Sequence, residues 1–483
     1  MNLRDTIVAA ATGNITSALG IIRMSGADAV DIISEVFIPV SEKKFADVAK
    51  GGRLYYGRIV NADINAVKSK DNKSQDVNNA KSNDHTVDEV VVSVFKAPHS
   101  FTGEDTVEIS HHGSPYIQQE IIKLLLSAGA RLADKGEFSL RAFLNGKMNL
   151  SQAEAVADLI QSDNKSSHDI AMDQLRGGYN SELKSLRQRF LKIASLLELE
   201  IDFSAEQEVF VDRDELVNLL TQTKEKLTYL VNSFRQGNAF KNGIPVAIAG
   251  KPNSGKSTLM NAILKDERSI VSSVEGTTRD TIEETINVNG VNIRFIDTAG
   301  IRESDNEIEK EGIKRSYDAI NKAQTVLYLI DSSVDDAESA DYQLKFLKQD
   351  ADLTDKKLIL VVNKSDISCL TRQDREKLQQ MDAVFVSAKK SDGLEELLKL
   401  ITADFNVQDV SSKVFVSNIR HYDALKNALD ETSAALDITL SGLSSDLISE
   451  NIRSAMDFIG QITGEITTED VLTNIFSSFC IGK

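Results

Sequence analysis

The sequence predicts a multidomain α/β + α protein with an α+β N-terminal part, a helical part, and an α/β part inserted into the helical one. Three observations predict it. Short β-branched and aromatic runs fill the chain from Thr6 to about Ser114. Apolar spacings of three and four follow, from Tyr116 to about Gln236. Strand-like runs then alternate with helical segments through about Ala403. The remaining segment, about 404–483, is helical again and too poor in apolar residues to stand alone. It is expected to pack with the 116–236 helices. The expected division is therefore 1–118, 119–241, 242–403 and 404–483.

Each element has a local reason. DTIVAAA, ALGIIRMS, RLYYGRIV, EVVVSVF and DTVEISHH are strand runs bounded by turn residues. Between the third and fourth lies Asn65 to His85, whose few apolar residues cannot bury a face, so it reads as a hairpin insertion. Ser151 followed by Glu154 matches a capping box at a helix start. Leu183, Leu186, Phe190, Ala194, Leu197 and Ile201 fall on one helix face, and Leu216, Leu220, Leu227, Leu230 and Phe234 repeat the pattern. PVAIA, VNIRFID, TVLYLID, KLILVVN and AVFVSA supply the strands of a parallel sheet.

Composition excludes several classes. The chain has 483 residues, 41% hydrophobic and 27% charged, the mixture of a folded soluble protein. No stretch approaches the ~18 consecutive apolar residues of a membrane span. The opening MNLRDTIVAAATGN lacks the apolar core of a secretory signal. Two cysteines, Cys369 and Cys480, are too few for a disulfide framework or a four-ligand zinc site, so a cytoplasmic location is expected. The net charge of -18 repels polyanions, and a nucleic-acid role would need a local basic patch or a partner that supplies one. Arg176, Lys184, Arg187, Arg189 and Lys192 form a basic stretch that fits such a patch and a solvated helix face equally well.

The chemistry is concentrated in four motifs, each at a strand end. Gly250 to Ser257, GKPNSGKS, matches G-x-x-x-x-G-K-[ST] directly after PVAIA. Loop amides from Asn253, Ser254 and Gly255 through Ser257 and Thr258 can cradle phosphates. Lys256 can meet the β and γ phosphates, and Ser257 can ligate magnesium. Asp297, Thr298, Ala299 and Gly300 form DTAG at the end of VNIRFID, and Thr277 and Thr278 lie in a preceding switch-like loop. Asn363, Lys364, Ser365 and Asp366 form NKSD after KLILVV. An aspartate there suits the N1–H and 2-amino donors of guanine, which adenine lacks. Ser387, Ala388 and Lys389 close the last strand and can support the guanine oxygen. Together the motifs point to GTP with magnesium. Ile301 stands where Ras-like GTPases place a water-orienting glutamine, so another group must act. The candidates are Arg302, Glu303, Asp305, Glu307 and Glu309.

Together with DTIVAAAT, GIIRMSG, FTGEDTVEISHHG, GEFSLRAFLNGKMNLSQAEAVADLI and the terminal FCIGK, these motifs make the chain resemble the tRNA-modification GTPase MnmE (TrmE) family over nearly its whole length. The resemblance implies an N-terminal α+β folate-binding and dimerisation domain, a helical domain, and an inserted Ras-like P-loop GTPase domain. It implies a homodimer that works on tRNA with the flavin-dependent MnmG (GidA) protein, in a heterotetramer or larger complex. The reaction installs an aminomethyl-type (carboxymethylaminomethyl) group at carbon 5 of the wobble uridine. A tetrahydrofolate derivative, 5-formyl or 5,10-methylene, would be held by Arg23, Glu108, Lys147 and Lys483. Arg23 and the lysines suit the carboxylates of the glutamate tail, and Glu108 suits the amino-pyrimidine face.

The resemblance also assigns a potassium ion to Asn253, Ser272, Val274 and Thr277. Ser273, Glu275 and Gly276 complete the loop around the nucleotide, and Thr278 joins Ser257 at magnesium. Glu309 falls on the family's catalytic glutamate, and Cys480 on a cysteine implicated in the modification. TGNITSALG departs from the family's proline- and glycine-rich run before Arg23. A ribosome-assembly or RNA-binding switch GTPase would share every nucleotide motif, but not the folate block or FCIGK. A folate-dependent transferase with GTP as a regulator is a further alternative.

The polar insertion is expected to be dispensable. Replacing Ala66 to Asp84 by a short glycine-serine linker should leave folate binding and dimerisation intact, as read by ligand titration and light scattering. Loss of either would show that the insertion packs on something.

Overall fold

The computed structural model describes residues 5–41, 44–61, 85–203, 213–267, 284–296, 317–354, 356–405, 413–477 and 479–482. The chain forms two compact units, Met1–Ala157 with Gly460–Lys483, and Asp158–Ile459. This grouping is coarser than the four segments expected from the sequence.

In the first unit the described strands are β1 (Ile7–Ala10), β2 (Leu19–Ser25), β3 (Phe37–Pro39), β4 (Arg53–Asn61), β5 (His85–Phe95), β6 (Thr106–His112) and β7 (Arg131–Leu132). They form one sheet in the order β3-β4-β5-β6-β2-β1-β7, antiparallel except for β1 with β7. Side chains alternate between its faces. Val8, Ile22, Met24, Val107 and Ile109 point into a core shared with Ile33, Ile121 and Leu125 of helices Ala29–Val36 and Pro115–Ser127. Ile7, Ala9, Arg23, Ser25 and Glu108 occupy the alternate positions. On that side Ile7 and Ala9 pack with Phe101, Ala133 and Phe138. Of the Asn65–His85 insertion only His85 lies within the described residues, where it opens β5 opposite Asn61.

The second unit combines long helices with a second sheet. Its described strands are β8 (Ile244–Gly250), β9 (Glu284–Val288), β10 (Val291–Phe295), β11 (Thr325–Asp331), β12 (Lys357–Asn363) and β13 (Val384–Phe385). The order is β13-β12-β11-β8-β10-β9, parallel except for the β9–β10 hairpin. Parallel strands put their C-terminal ends on one edge, the edge where ligands bind in open α/β sheets. Ala239 and Phe240, at the end of helix Arg213–Asn242, share the core of this sheet with Val246, Ile293 and Leu329.

The structure corrects three sequence expectations. Helix Leu150–Gln161 is capped by Asn149, not Ser151. Asn149 Oδ1 accepts from the Gln152 amide at 2.8 Å, and the Asn149 amide donates to Gln152 Oε1 at 3.1 Å. The capping box therefore starts two residues earlier, and Ser151 already lies inside the helix. On helix Gly178–Phe203 the seam runs through Leu183, Leu186, Phe190, Ile193 and Leu197, all buried, while Ala194 and Ile201 are half-buried. A step of three and then four from Phe190 returns the chain to the same side, which leaves Ala194 at the rim. On helix Arg213–Asn242, Ser233 takes the buried place expected for Phe234, because its Oγ accepts from the Val416 amide at 3.1 Å. Phe234 instead stacks on Tyr422 with ring centroids 4.5 Å apart.

The C-terminal segment is divided between the units, as is the 116–236 stretch. Helix Ile419–Leu440 packs along helix Arg213–Asn242 in the second unit. The residues after Gly460 belong to the first. There Phe476 and Phe479 share an apolar cluster with Leu140, Leu150 and Ala153, so both parts of the C-terminal segment pack on helices from within 116–236, as expected.

Phe190→Ala should remove a fully buried ring and leave a cavity. The expected cost is about 3–5 kcal/mol, read as a lower midpoint of the helical circular-dichroism transition in urea. The same substitution at exposed Leu191 should leave that midpoint almost unchanged.

Candidate functional site

The four nucleotide motifs were expected at strand ends, and those within the described residues stand at the C-terminal edge of the second sheet. β8 ends at Gly250, and Lys251 to Gly255 turn into helix Lys256–Glu267. The turn needs unusual backbone: Asn253 has φ 64° and Gly255 φ 94°. A Cβ on Gly255 would stand 2.2 Å from Asn363 Nδ2, so glycine alone fits there. Lys256 Nζ curls back onto the loop and donates to the Gly250 and Lys251 carbonyls at 2.9 Å. Burial holds its pKa below the ordinary lysine range. Ser254 Oγ is buried and makes no hydrogen bond among the described residues. Ser257 and Thr258 follow in the first helical turn.

Asn363 ties this loop to the others. Its Nδ2 donates to the Ser254 carbonyl at 2.9 Å, and its Oδ1 accepts from the Ala388 amide at 3.2 Å. Lys364, left-handed at φ 62°, reaches Asp331 Oδ2 at 2.5 Å. Burial would raise the Asp331 pKa, but Lys364 and the Ser333 hydroxyl hold it below the carboxylate range. Ser365 donates its amide to the Val386 carbonyl at 3.1 Å. Asp366 accepts from Ser387 Oγ at 2.8 Å, and this bond is the main cause of its lowered pKa. A two-way backbone bridge between Ser387 and Asp392 shapes the turn that carries Ala388 and Lys389.

Ser272, Ser273, Val274, Glu275, Gly276, Thr277, Thr278, Asp297, Thr298, Ala299, Gly300, Glu309 and Lys483 lie outside the described residues. The potassium set is thus represented only by Asn253, which is exposed, and the magnesium set only by Ser257.

The first unit gathers three of the expected folate residues around loop 96–105. Arg23 on β2 faces Glu108 on β6, and both Nε and Nη2 of the arginine lie 2.8 Å from Glu108 Oε1. These two residues were each expected to meet a ligand, yet here they pair with one another. The Arg23 guanidinium rests 5.5 Å from the Phe101 ring centre and 5.9 Å from that of Phe138. Lys147 Nζ donates to the Pro98 carbonyl at 2.8 Å. The unusual TGNITSALG run closes onto β2, with Thr12 Oγ1 accepting from the Ile21 amide at 3.0 Å. Cys480 is exposed. Its segment is fixed by Gly482, at φ 94°, where a Cβ would stand 2.2 Å from the Ala10 carbonyl oxygen.

Sequence reasoning missed the ionic partners. Asp331 holds Lys364, and Asp335 holds Lys251 Nζ at 3.0 Å. An acid ending β11 on the ligand edge was a usable signal for Asp331; nothing local marks Asp335. Arg141 was missed as well. It is buried against Asp5, Glu104 and Glu137. Burial alone would lower the Arg141 pKa and raise that of Glu137; Glu137 and Glu104 reverse the first, and Arg131, the Asp134 amide and Arg141 reverse the second. In the basic stretch of the sequence, Lys192 is paired with Glu215 at 2.8 Å.

No helix among the described residues is long and apolar enough to cross a membrane. Two family models match the chain: the MnmE helical domain over residues 150–480, and the GTP-binding protein TrmE N-terminus over residues 6–147. A tRNA modification GTPase MnmE of Flavobacterium johnsoniae is 46% identical over 99% of both chains. Proteins with the same description from Christiangramia forsetii and Bacteroides thetaiotaomicron are 44% and 43% identical, over 100% and 99% of this chain and 100% of each of theirs. Among solved structures, the G domain of the T. maritima FeoB iron transporter is 27% identical over 33% of this chain and 97% of its own, with a TM-score of 0.25. Aquifex aeolicus Era is 25% identical over 38% and 65%, also with a TM-score of 0.25. With the helical-domain model spanning most of the chain and full-length relatives well above 40% identity, the chain belongs to the tRNA modification GTPase MnmE family.

Proposed function

We propose that this protein is a potassium-dependent GTPase that, with a flavin-dependent MnmG partner, installs a carboxymethylaminomethyl-type group at C5 of the tRNA wobble uridine. The observation that carries the nucleotide part is the Asn363 bridge. It gathers the phosphate loop, the Asp366 carboxylate and the Ser387–Lys389 turn at one sheet edge. Asp366 would read the N1–H and 2-amino groups of guanine, and Ala388 and Lys389 would support its oxygen. Lys256 and the loop amides from Asn253 to Thr258 would hold the phosphates. Ser257 and Thr278 would hold magnesium, which neutralises phosphate charge when bound. Asn253, Ser272, Val274 and Thr277 would hold potassium, a charge placed where other GTPases use an arginine. Glu309 would orient the attacking water, a task closed to Ile301. Asp297 and Thr298 to Gly300 would meet the γ-phosphate side, with Ser273, Glu275 and Gly276 completing the switch loop.

The modification part rests on family membership and on the first unit. Arg23, Glu108, Lys147 and Lys483 would bind a one-carbon tetrahydrofolate, and Cys480 would serve the transfer. We assign dimerisation and folate binding to residues 1–118, the GTPase domain to 242–403, and the helical domain to 119–241 with 404–483. The homodimer would join MnmG in a heterotetramer or larger complex acting on tRNA in the cytoplasm.

Mass spectrometry of tRNA nucleosides from cells lacking the protein should show loss of the C5-modified wobble uridine; unaltered nucleosides would overturn the proposal. Single-turnover hydrolysis should be slower in sodium than in potassium, and equal rates would remove the ion from the mechanism. Glu309→Ala should cut turnover by about 10- to 1000-fold with GTP affinity nearly unchanged. An unimpaired variant would return the role to Arg302, Glu303 or Asp305.

Asp366→Asn should weaken GTP and improve xanthosine triphosphate in a competition assay. The lowered pKa of Asp366 carries a pH prediction with a definite sign. The carboxylate, and guanine selectivity with it, persists as pH falls and is lost only on passing below the usual carboxylate range. Ser387→Ala removes the donor that depresses this pKa, so selectivity should fade at a higher pH than in the parent.

A further inference from the structure

The phosphate loop is held at its far end by Asn363, on the Ser254 carbonyl. Its near end has a second hold, on Lys251. Strands β8 and β11 lie side by side, with Gly250 opposite Leu329, so the loops that leave them emerge next to each other at one edge. A Cβ on Gly250 would stand 2.4 Å from the Leu329 carbonyl oxygen, so the two backbones run in close contact there. Just past the end of β11 at Asp331, Asp335 takes Lys251 Nζ on its Oδ1 at 3.0 Å.

Asp335 is itself fixed on several sides. It is 8% exposed, and its Oδ1 also accepts from Ser339 Oγ at 2.9 Å and from Gln343 Nε2 at 3.1 Å. Its Oδ2 accepts from the Asp331 amide at 3.4 Å. Burial would raise the Asp335 pKa, but Lys251 and the Ser339 hydroxyl hold it below the ordinary carboxylate range. Lys251 carries the hold toward the ligand side. Its carbonyl accepts from Lys256 Nζ at 2.9 Å and from the Ser254 amide at 3.3 Å. The contacts therefore run from Asp335 through Lys251 to Lys256. The Lys251 side chain is half-exposed, and an ion pair so placed contributes little to folding stability. What it supplies is the direction in which the loop starts.

We propose that Asp335, which lies outside all four nucleotide motifs, is a positioning residue for nucleotide binding. Through Lys251 it fixes the start of the phosphate loop and the lysine that meets the phosphates. The inference rests on the GTP reading above and adds a residue to it. Charge and position make opposite predictions here. As an anion near an anion site, Asp335 opposes binding, and its loss would tighten GDP and free Lys251 to meet phosphate. As an anchor it favours binding, and its loss weakens GDP.

The test is calorimetric titration of the full-length protein with GDP, with xanthosine diphosphate as a competitor. Asp335→Asn should weaken GDP about tenfold and leave the preference for GDP over xanthosine diphosphate within about twofold of the parent's. That preference is kept because Asp366 is held by Ser387, not by Asp335. Lys251→Met should weaken GDP by a similar factor, and the double variant by no more than either single, since both cut one link. Ser339→Ala changes no charge but removes a donor that fixes Asp335. It should weaken GDP in the same direction by a smaller factor, and it decides the matter if Asp335→Asn fails to fold. Tighter or unchanged GDP binding in the deciding variant would overturn the anchor role. Additive losses in the double variant would also overturn it, because Lys251 would then have its own contact with phosphate. Collapse of the base preference in Asp335→Asn would mark general disruption and overturn it too. A parent protein that binds no GDP would instead overturn the GTP reading.

Discussion

The side-chain amide of Asn363 is the point at which the loops on the C-terminal edge of the second sheet are tied into one arrangement. β12 delivers it to the sheet edge, and its two ends reach the Ser254 carbonyl and the Ala388 amide. An amide suits this place because it donates and accepts at once; aspartate would only accept, and leucine would do neither. The residue is 1% exposed, so a lost partner would leave a buried polar group unpaired at about 1–3 kcal/mol. The small size of Gly255 is part of the same arrangement, since any side chain there would strike the Asn363 amide. Asp366 is then fixed by its chain neighbours and by Ser387, and Lys364 by Asp331.

The first unit uses a charged centre for the corresponding purpose. Arg141 gathers Asp5 and Glu104 from distant segments and Glu137 from one turn earlier on its own helix, and each ion is compensated by the others. Such a cluster tolerates little change, because removal of one partner leaves a buried charge unpaired. It stands on the sheet face that also carries Arg23, Ser25 and Glu108, while the opposite face holds the aliphatic core. The two faces are thereby assigned to different tasks. One supplies stability through apolar burial, and the other supplies oriented charge.

Legibility of the site followed a simple divide. Lys256, Asn363 and Asp366 were readable because their chemistry is tied to fixed local spacing and to a preceding strand. The pairings were not readable: Asn363 reaches Ser254, Asp366 meets Ser387, and Asp331 and Asp335 hold Lys364 and Lys251, all across loops whose separation no motif fixes. Arg23 and Glu108 were named through family motifs, but their mutual pairing depends on the β2–β6 register. The helix seams show the same limit on a smaller scale. Ile193 and Ala194 both satisfy an apolar periodicity, and only the surface facing the helix selects between them.

The order of elements, the two sheet types and the phosphate loop follow from local rules: period-two runs, three- and four-residue spacing, and a glycine-rich turn after an apolar strand. These depend on neighbours a few residues apart, so a linear reading can recover them. The division of the C-terminal segment between the two units could not be recovered in that way. Helix Glu469–Ser477 is amphipathic whichever surface it meets, and it joins the first unit because Leu140, Leu150 and Ala153 offer Phe476 and Phe479 an apolar cluster. The Arg141 cluster is the extreme case. Its members span positions 5 to 141, and a buried charge is tolerable only where folding has already brought its counter-charges within hydrogen-bond reach.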